Sequence, residues 1–250
     1  TSYITSLIYD KLIDTDTKMN LIPCLAESWE AIDDTHYRFR LRDDVTFHNG
    51  VKLTAEDVLY TFEQLVASQA TSSTIGPVDI PNCKIEDDYT IVLALSKAYP
   101  AFLRVCSLDI AGIVCKQAME EDSDGYAKKP IGSGPFKFVE WATGDYIKMV
   151  ANKDWWGGEI NFDNLMLRYI PEATTRAIEV ETGGVDIGQI TADSVESIKG
   201  NSDIVLLSQP ILNTAYISFN CSIEPFNNTK VRQAISLAVD CDAIVKAAYY

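Results

Sequence analysis

Apolar and charged side chains alternate one by one from residue 37 to 42, with Tyr37, Phe39 and Leu41 set against Arg38, Arg40 and Arg42. This two-residue period predicts a strand with one buried face and one wet face. Asn49-Gly50 comes next, a dipeptide suited to the positive φ of a tight turn. Thr54 and, three residues on, Asp57 form a helix-capping pair, after which Val58, Phe62, Leu65 and Val66 share one helical face.

The same pattern recurs downstream. Tyr89, Ile91, Leu93 and Leu95 alternate with Thr90, Val92 and Ala94 after the turn pair Asp87-Asp88, predicting a strand that pairs with residues 84–86. Pro100 suits the start of a short helix that turns Phe102, Leu103 and Val105 inward. Residues 120–129 are polar and read as a loop, and Thr143-Gly144 reads as the turn of a hairpin between 136–141 and 146–150. Beyond this point strands at 165–170, 185–190, 204–208 and 214–219 alternate with helices at 172–181 and 192–199, and Gly183-Gly184 stops the first helix. That order predicts an α/β class with a mixed sheet and flanking helices. Asn228 and Asp240 are placed to cap two final helices.

Composition narrows the function. The chain has 250 residues, 47% of them hydrophobic, which is enough for a sizeable core. Acidic residues outnumber basic ones 36 to 21, a formal charge of −15 that argues against nucleic acid as a partner. Two readings of that charge stand: a solvated surface that keeps the protein in solution, and attraction of cationic ligands. No apolar run approaches the roughly 20 residues of a membrane helix, and the first residues do not read as a signal peptide. The start at Thr1 predicts a removed upstream segment, and the uncapped apolar end at Ala247-Ala248-Tyr249-Tyr250 predicts a longer parent chain. Cys24, Cys83, Cys106, Cys115, Cys221 and Cys241 contain no C-x-x-C pair, so the readings are mostly free apolar thiols or a single disulfide.

Reaction chemistry is scarce. His36 and His48 belong to no metal-ligand cluster and read as surface residues at a strand start and before a turn. Ser133 stands between Gly132 and Gly134, but Pro135 and a strand follow, which fits a tight turn in close backbone contact and not a nucleophile elbow. The pairs Asp33-Asp34, Asp43-Asp44 and Asp87-Asp88 fall at predicted turns. No catalytic residue, metal site or cofactor is predicted. Trp29 and Trp155 read as core, Trp156 less so.

Several segments, in order, resemble one family. They are Ala26-Glu27-Ser28-Trp29, then Phe39, Leu41 and Arg42, then Gly50, Thr54, Ala55, Asp57 and Val58. Pro130 to Phe136 (PIGSGPF), residues 152–158 (NKDWWGG), the stretch from Asn213 to Asn220, and Pro225-Phe226 with Val231-Arg232-Gln233-Ala234 complete the match. Together they resemble the peptide- and nickel-type (family 5) solute-binding proteins of bacterial uptake transporters. The resemblance implies a periplasmic-binding-protein-like fold, with this chain as the first lobe and the second lobe absent. Residues 10–131 would be an inserted α+β subdomain, and 1–9 with 132–250 the main α/β subdomain. It implies capture of a peptide or other small solute between two lobes and delivery to an ABC permease. The setting would be extracytoplasmic, with a lipid anchor on the parent protein. Asn213, Thr214 and Tyr216 would lie along the cleft floor, with Ser107, Leu108 and Asp109 as a second lining. The plainer reading of 213–220 is a buried strand without ligand contact. A ligand-sensing domain of a transcriptional regulator is the alternative, and self-association of the isolated lobe is a further expectation.

Overall fold

Helix α1 (Ser2–Ile8) opens the described residues, which are 2–208 and 215–249 of the computed structural model. After it, β1 (Ile13–Thr15) and β2 (Leu21–Pro23) pair antiparallel around a turn in which the Asp16 carboxylate accepts the N–H groups of Lys18 and Asn20, both at 2.8 Å. Strands β3 (Ala26–Ala31) and β4 (His36–Leu41) form a hairpin. As the alternation predicts, Tyr37, Phe39 and Leu41 are buried, while Arg38 on the opposite face pairs with Glu30 and Glu86.

The capping pair opens α2 (Ala55–Ala67): the Asp57 carboxylate takes the Thr54 N–H at 2.9 Å. Its other oxygen takes the Lys116 N–H at 2.9 Å, so this buried carboxylate also fixes a segment distant in sequence. Val58 and Phe62 of α2 are fully buried. A short helix α3 (Ser72–Ile75) leads to the hairpin of β5 (Lys84–Asp87) and β6 (Thr90–Ala94), giving a sheet of order β3-β4-β6-β5. The helix after Pro100 is α4 (Phe102–Val105). The Phe102 ring lies 5.1 Å from Tyr37, 6.5 Å from Phe39 and 6.3 Å from Phe62, closing the sheet against α2. Burying one such ring contributes about 1.5–3 kcal/mol.

Residues 120–129 are not the predicted loop. Helix α5 (Lys116–Glu121) runs into α6 (Ser123–Tyr126), where the Asp122 side chain accepts the Gly125 N–H at 2.9 Å. Tyr126 is buried and its hydroxyl donates to the Ile131 carbonyl, so one aromatic side chain overrides the polar composition around it.

A separate three-stranded sheet follows. Strands β7 (Phe136–Ala142), β8 (Tyr146–Ala151) and β9 (Asn164–Arg168) pair antiparallel in that order, with Gly144 at φ +81° in the predicted turn. Two cores result. One draws its buried residues from Leu12 to Tyr126; the other joins Ile8 to Phe136, Met149 and Ala151. Trp29 and Trp155, expected in a core, are half-buried, Trp29 packing against the first of these cores. All six cysteines are free thiols.

The chain divides into two units, Thr1–Tyr169 and Ile170–Tyr250. The second contains α7 (Ala173–Glu181), α8 (Ala192–Ile198), α9 (Thr229–Ala238) and α10 (Cys241–Tyr249). Asn228 caps α9 through the Lys230 N–H at 2.9 Å, and the Asp240 carboxylate takes the Ala243 N–H at 2.9 Å, as predicted. The expected strands at 185–190 and 204–208 and across 215–219 are absent from the described residues. A strand requires a neighbouring ladder, and their apolar side chains, Ile187, Val205, Leu207 and Ile217, stand exposed.

Candidate ligand-binding site

Ser107, Leu108 and Asp109 lie where α4 ends and a 3₁₀ turn, Asp109–Ala111, begins. The turn is fastened to the segment after α1. The Ile113 N–H donates to the Asp10 carbonyl at 2.9 Å, and a Cβ on Gly112 would stand 2.8 Å from that of Tyr9. Ser107 Oγ donates to the Arg104 carbonyl at 2.8 Å, and the Arg104 guanidinium in turn holds the Met19 carbonyl. Leu108 is exposed and Asp109 half-buried. Lys11 Nζ bridges Asp14 at 2.9 Å and Asp109 at 3.4 Å. Burial opposes the Lys11 charge, but Asp14 and then Asp109 outweigh it and hold the ammonium above its ordinary pKa. The turn therefore presents a hydroxyl, an apolar side chain and a carboxylate that shares one ammonium with Asp14, on a fixed backbone.

Behind it lies a buried polar junction. Gly132 and Gly134 press on Ile8: a Cβ on Gly132 would sit 1.9 Å from the Ile8 carbonyl oxygen, and the Gly134 N–H donates to that oxygen at 2.8 Å. Between them Ser133 Oγ donates to Asp10 Oδ2 at 3.0 Å, where Trp156 Nε1 also donates at 2.8 Å. Burial pushes the Asp10 carboxyl up, and the Trp156 and Ser133 bonds offset part of that. The Arg42 guanidinium lies 4.5 Å above the Trp156 ring while holding Asp44 at 2.9 and 2.7 Å.

His48 is not the surface residue its place before the Asn-Gly turn suggested. Its Nδ1 accepts the Gly132 N–H at 3.3 Å, so Nε2 carries the proton and donates to the Gly134 carbonyl at 2.9 Å. Burial pushes its pKa down to about 4. Ser133, His48 and Asp10 are thus neighbours without being a catalytic triad: the buried serine bonds the carboxylate directly, and the imidazole bonds backbone on either side. No contiguous motif signals this arrangement, because its parts come from residues 10, 48, 133 and 156.

Of the predicted cleft residues, Ser107, Leu108 and Asp109 lie together in the first unit. Asn213 and Thr214 lie outside the described residues, and Tyr216 belongs to the second unit with a side chain 80% exposed. A shallow concavity of about 270 Å³, lined by Lys52, Glu56, Lys116 and Glu120 among others, includes none of the predicted residues. No group of three or more metal-ligating side chains occurs among the described residues.

Residues 20–250 match the model of the bacterial extracellular solute-binding proteins, family 5. The chain is 33% identical to heme-binding protein A of Haemophilus influenzae, covering 100% of this chain and 51% of that protein. The oligopeptide-binding protein AppA of Bacillus subtilis, solved with a nonapeptide, superposes with a TM-score of 0.85 at 29% identity, over 98% of this chain and 50% of AppA. NikZ of Campylobacter jejuni, solved with Ni(L-His), superposes at 0.83 with 29% identity, over 96% and 49%. The chain thus spans about half the length of the relatives it matches. The motif order, the superposition and the family match agree: the chain belongs to the bacterial extracellular solute-binding proteins of family 5.

Proposed function

We propose that this chain is the first lobe of a solute-binding component of an ABC importer, which captures a peptide-like ligand between two lobes and delivers it to a membrane permease. The observation that carries this reading is the near-complete superposition on half of a protein solved with a nonapeptide. Closure of two lobes about a hinge would bury the ligand, with affinity from backbone hydrogen bonds and cleft burial and no bond made or broken. Ser107, Leu108 and Asp109 would line the cleft from the anchored turn, and Asn213, Thr214 and Tyr216 from the second unit. Residues 10–131 would form an inserted subdomain; its support is a core whose buried residues all fall between 12 and 126, beside one that joins Ile8 to residues after 132. The parent protein would carry a lipid anchor outside the cell membrane.

Native mass spectrometry of the full-length protein, purified without denaturation, tests the ligand class. A set of added masses matching short peptides of varied sequence is the expected result. A single added mass of haem or of a metal chelate would replace the peptide reading.

A further inference from the structure

Lys11 is nearly buried, with 11% of its side chain exposed, yet it faces two carboxylates that keep 43% and 35% of theirs, Asp14 and Asp109. Its backbone is pinned as well: the Leu25 N–H donates to the Lys11 carbonyl at 3.0 Å, and the Ile113 N–H to the Asp10 carbonyl beside it. The backbone is fixed on both sides, and the nearly buried side chain sets its ammonium between Asp14 at 2.9 Å and Asp109 at 3.4 Å. That matters because the chain is strongly acidic, with a formal charge of −15. A lone carboxylate at the rim of a cleft in such a protein would attract cationic ligand groups.

We propose that Lys11 is a specificity-determining positioning residue. By pairing with Asp109 it denies a cationic ligand group an ion pair at the 107–109 turn, which is left to read apolar and uncharged groups through Leu108 and the Ser107 hydroxyl. This rests on the turn forming part of the ligand site, as proposed above. Discrimination of this kind acts by removing an attraction, and it costs the neutral ligand nothing.

Two measurements on the full-length protein separate this claim from the reading beneath it. The first is calorimetry with the peptides Ala-Ala-Ala and Ala-Lys-Ala on the wild type, Lys11→Met, Lys11→Arg and the double variant Lys11→Met/Asp109→Asn. Lys11→Met should tighten Ala-Lys-Ala about fivefold, the scale of a partly exposed ion pair, and leave Ala-Ala-Ala unchanged. Lys11→Arg should keep the wild-type ratio, and the double variant should return to it. Equal shifts for both peptides in Lys11→Met, or no shift, would overturn the proposal, as would a preference that survives Asp109→Asn.

The second measurement needs no peptide. Amide NMR shifts at residues 107–109 are followed during titration with hexaamminecobalt(III), a cation that reads unbalanced carboxylates. Lys11→Met should gain a response there that the wild type lacks and the double variant loses. Identical maps in wild type and Lys11→Met would refute the role of Lys11. If neither peptide binds any variant while the cobalt maps behave as stated, the peptide reading fails and the charge balance at Asp109 stands.

Discussion

At the scale of single residues, the buried junction around Gly132 to Gly134 makes the strongest demands. Replacing Gly132 by Ala would place a methyl 1.9 Å from the Ile8 carbonyl oxygen, which is backbone and cannot step aside. We expect destabilisation of more than about 3 kcal/mol, read as a lowered urea midpoint. His48 predicts a pH dependence. Its folded-state pKa is about 4, below the ordinary 6.5, so between these values the unfolded chain binds a proton that the folded protein refuses. Its contribution is present above pH 6.5 and lost as pH falls to 4, by roughly 3 kcal/mol across the window. Asp10, pushed up by burial, works in the opposite direction, so the test is a difference between two proteins. Stability of wild type minus that of His48→Gln should shrink as pH falls from 6.5 to 4. A constant difference would mean that His48 titrates like an exposed imidazole.

Elements follow the chain's patterning wherever one local signal decides them. The Tyr37, Phe39 and Leu41 alternation, the Thr54 and Asp57 cap and the Thr143-Gly144 turn all appear where the pattern puts them, because each is settled within a few residues. Helix α6 is not legible in the sequence because one buried tyrosine and one Asp122 cap outweigh six polar neighbours only once the core exists to receive Tyr126. The strands expected at 185–190 and 204–208 carry suitable side chains, but a strand needs a partner that its own sequence does not encode. For the same reason Ser107 to Asp109 could be named as a candidate lining, whereas the Lys11 ion pair that sets its charge spans 98 positions and leaves no periodic trace. One element is suboptimal. Met19, in the β1–β2 turn, has φ +65°, a region that disfavours a side chain, and its own side chain is 48% exposed. Met19→Gly should raise stability by about 0.5 kcal/mol, with a higher urea midpoint at unchanged slope. A lower midpoint would show that the methionine packs in a way its exposure denies.

For the whole molecule, the two units differ in how well they hide apolar surface. The first unit closes two cores, whereas Ile187, Val205, Leu207, Tyr216 and Leu237 of the second are each at least two-thirds exposed. Apolar surface on that scale recruits partners. The isolated 250-residue chain should therefore self-associate, with a light-scattering mass that rises with concentration. A monomer at every concentration would contradict this.

The central claim is that ligand capture belongs to two lobes and that this chain supplies one of them. A single lobe buries roughly half of a ligand's surface but bears the same loss of ligand freedom, several kcal/mol, as the complete cleft. The most direct test is calorimetry of the isolated chain and the full-length protein, side by side, with the peptide that co-purifies with the latter. Saturable binding by the full-length protein and no saturable heat from the isolated chain is the predicted result. Binding by the isolated chain tighter than about 1 μM would contradict the account.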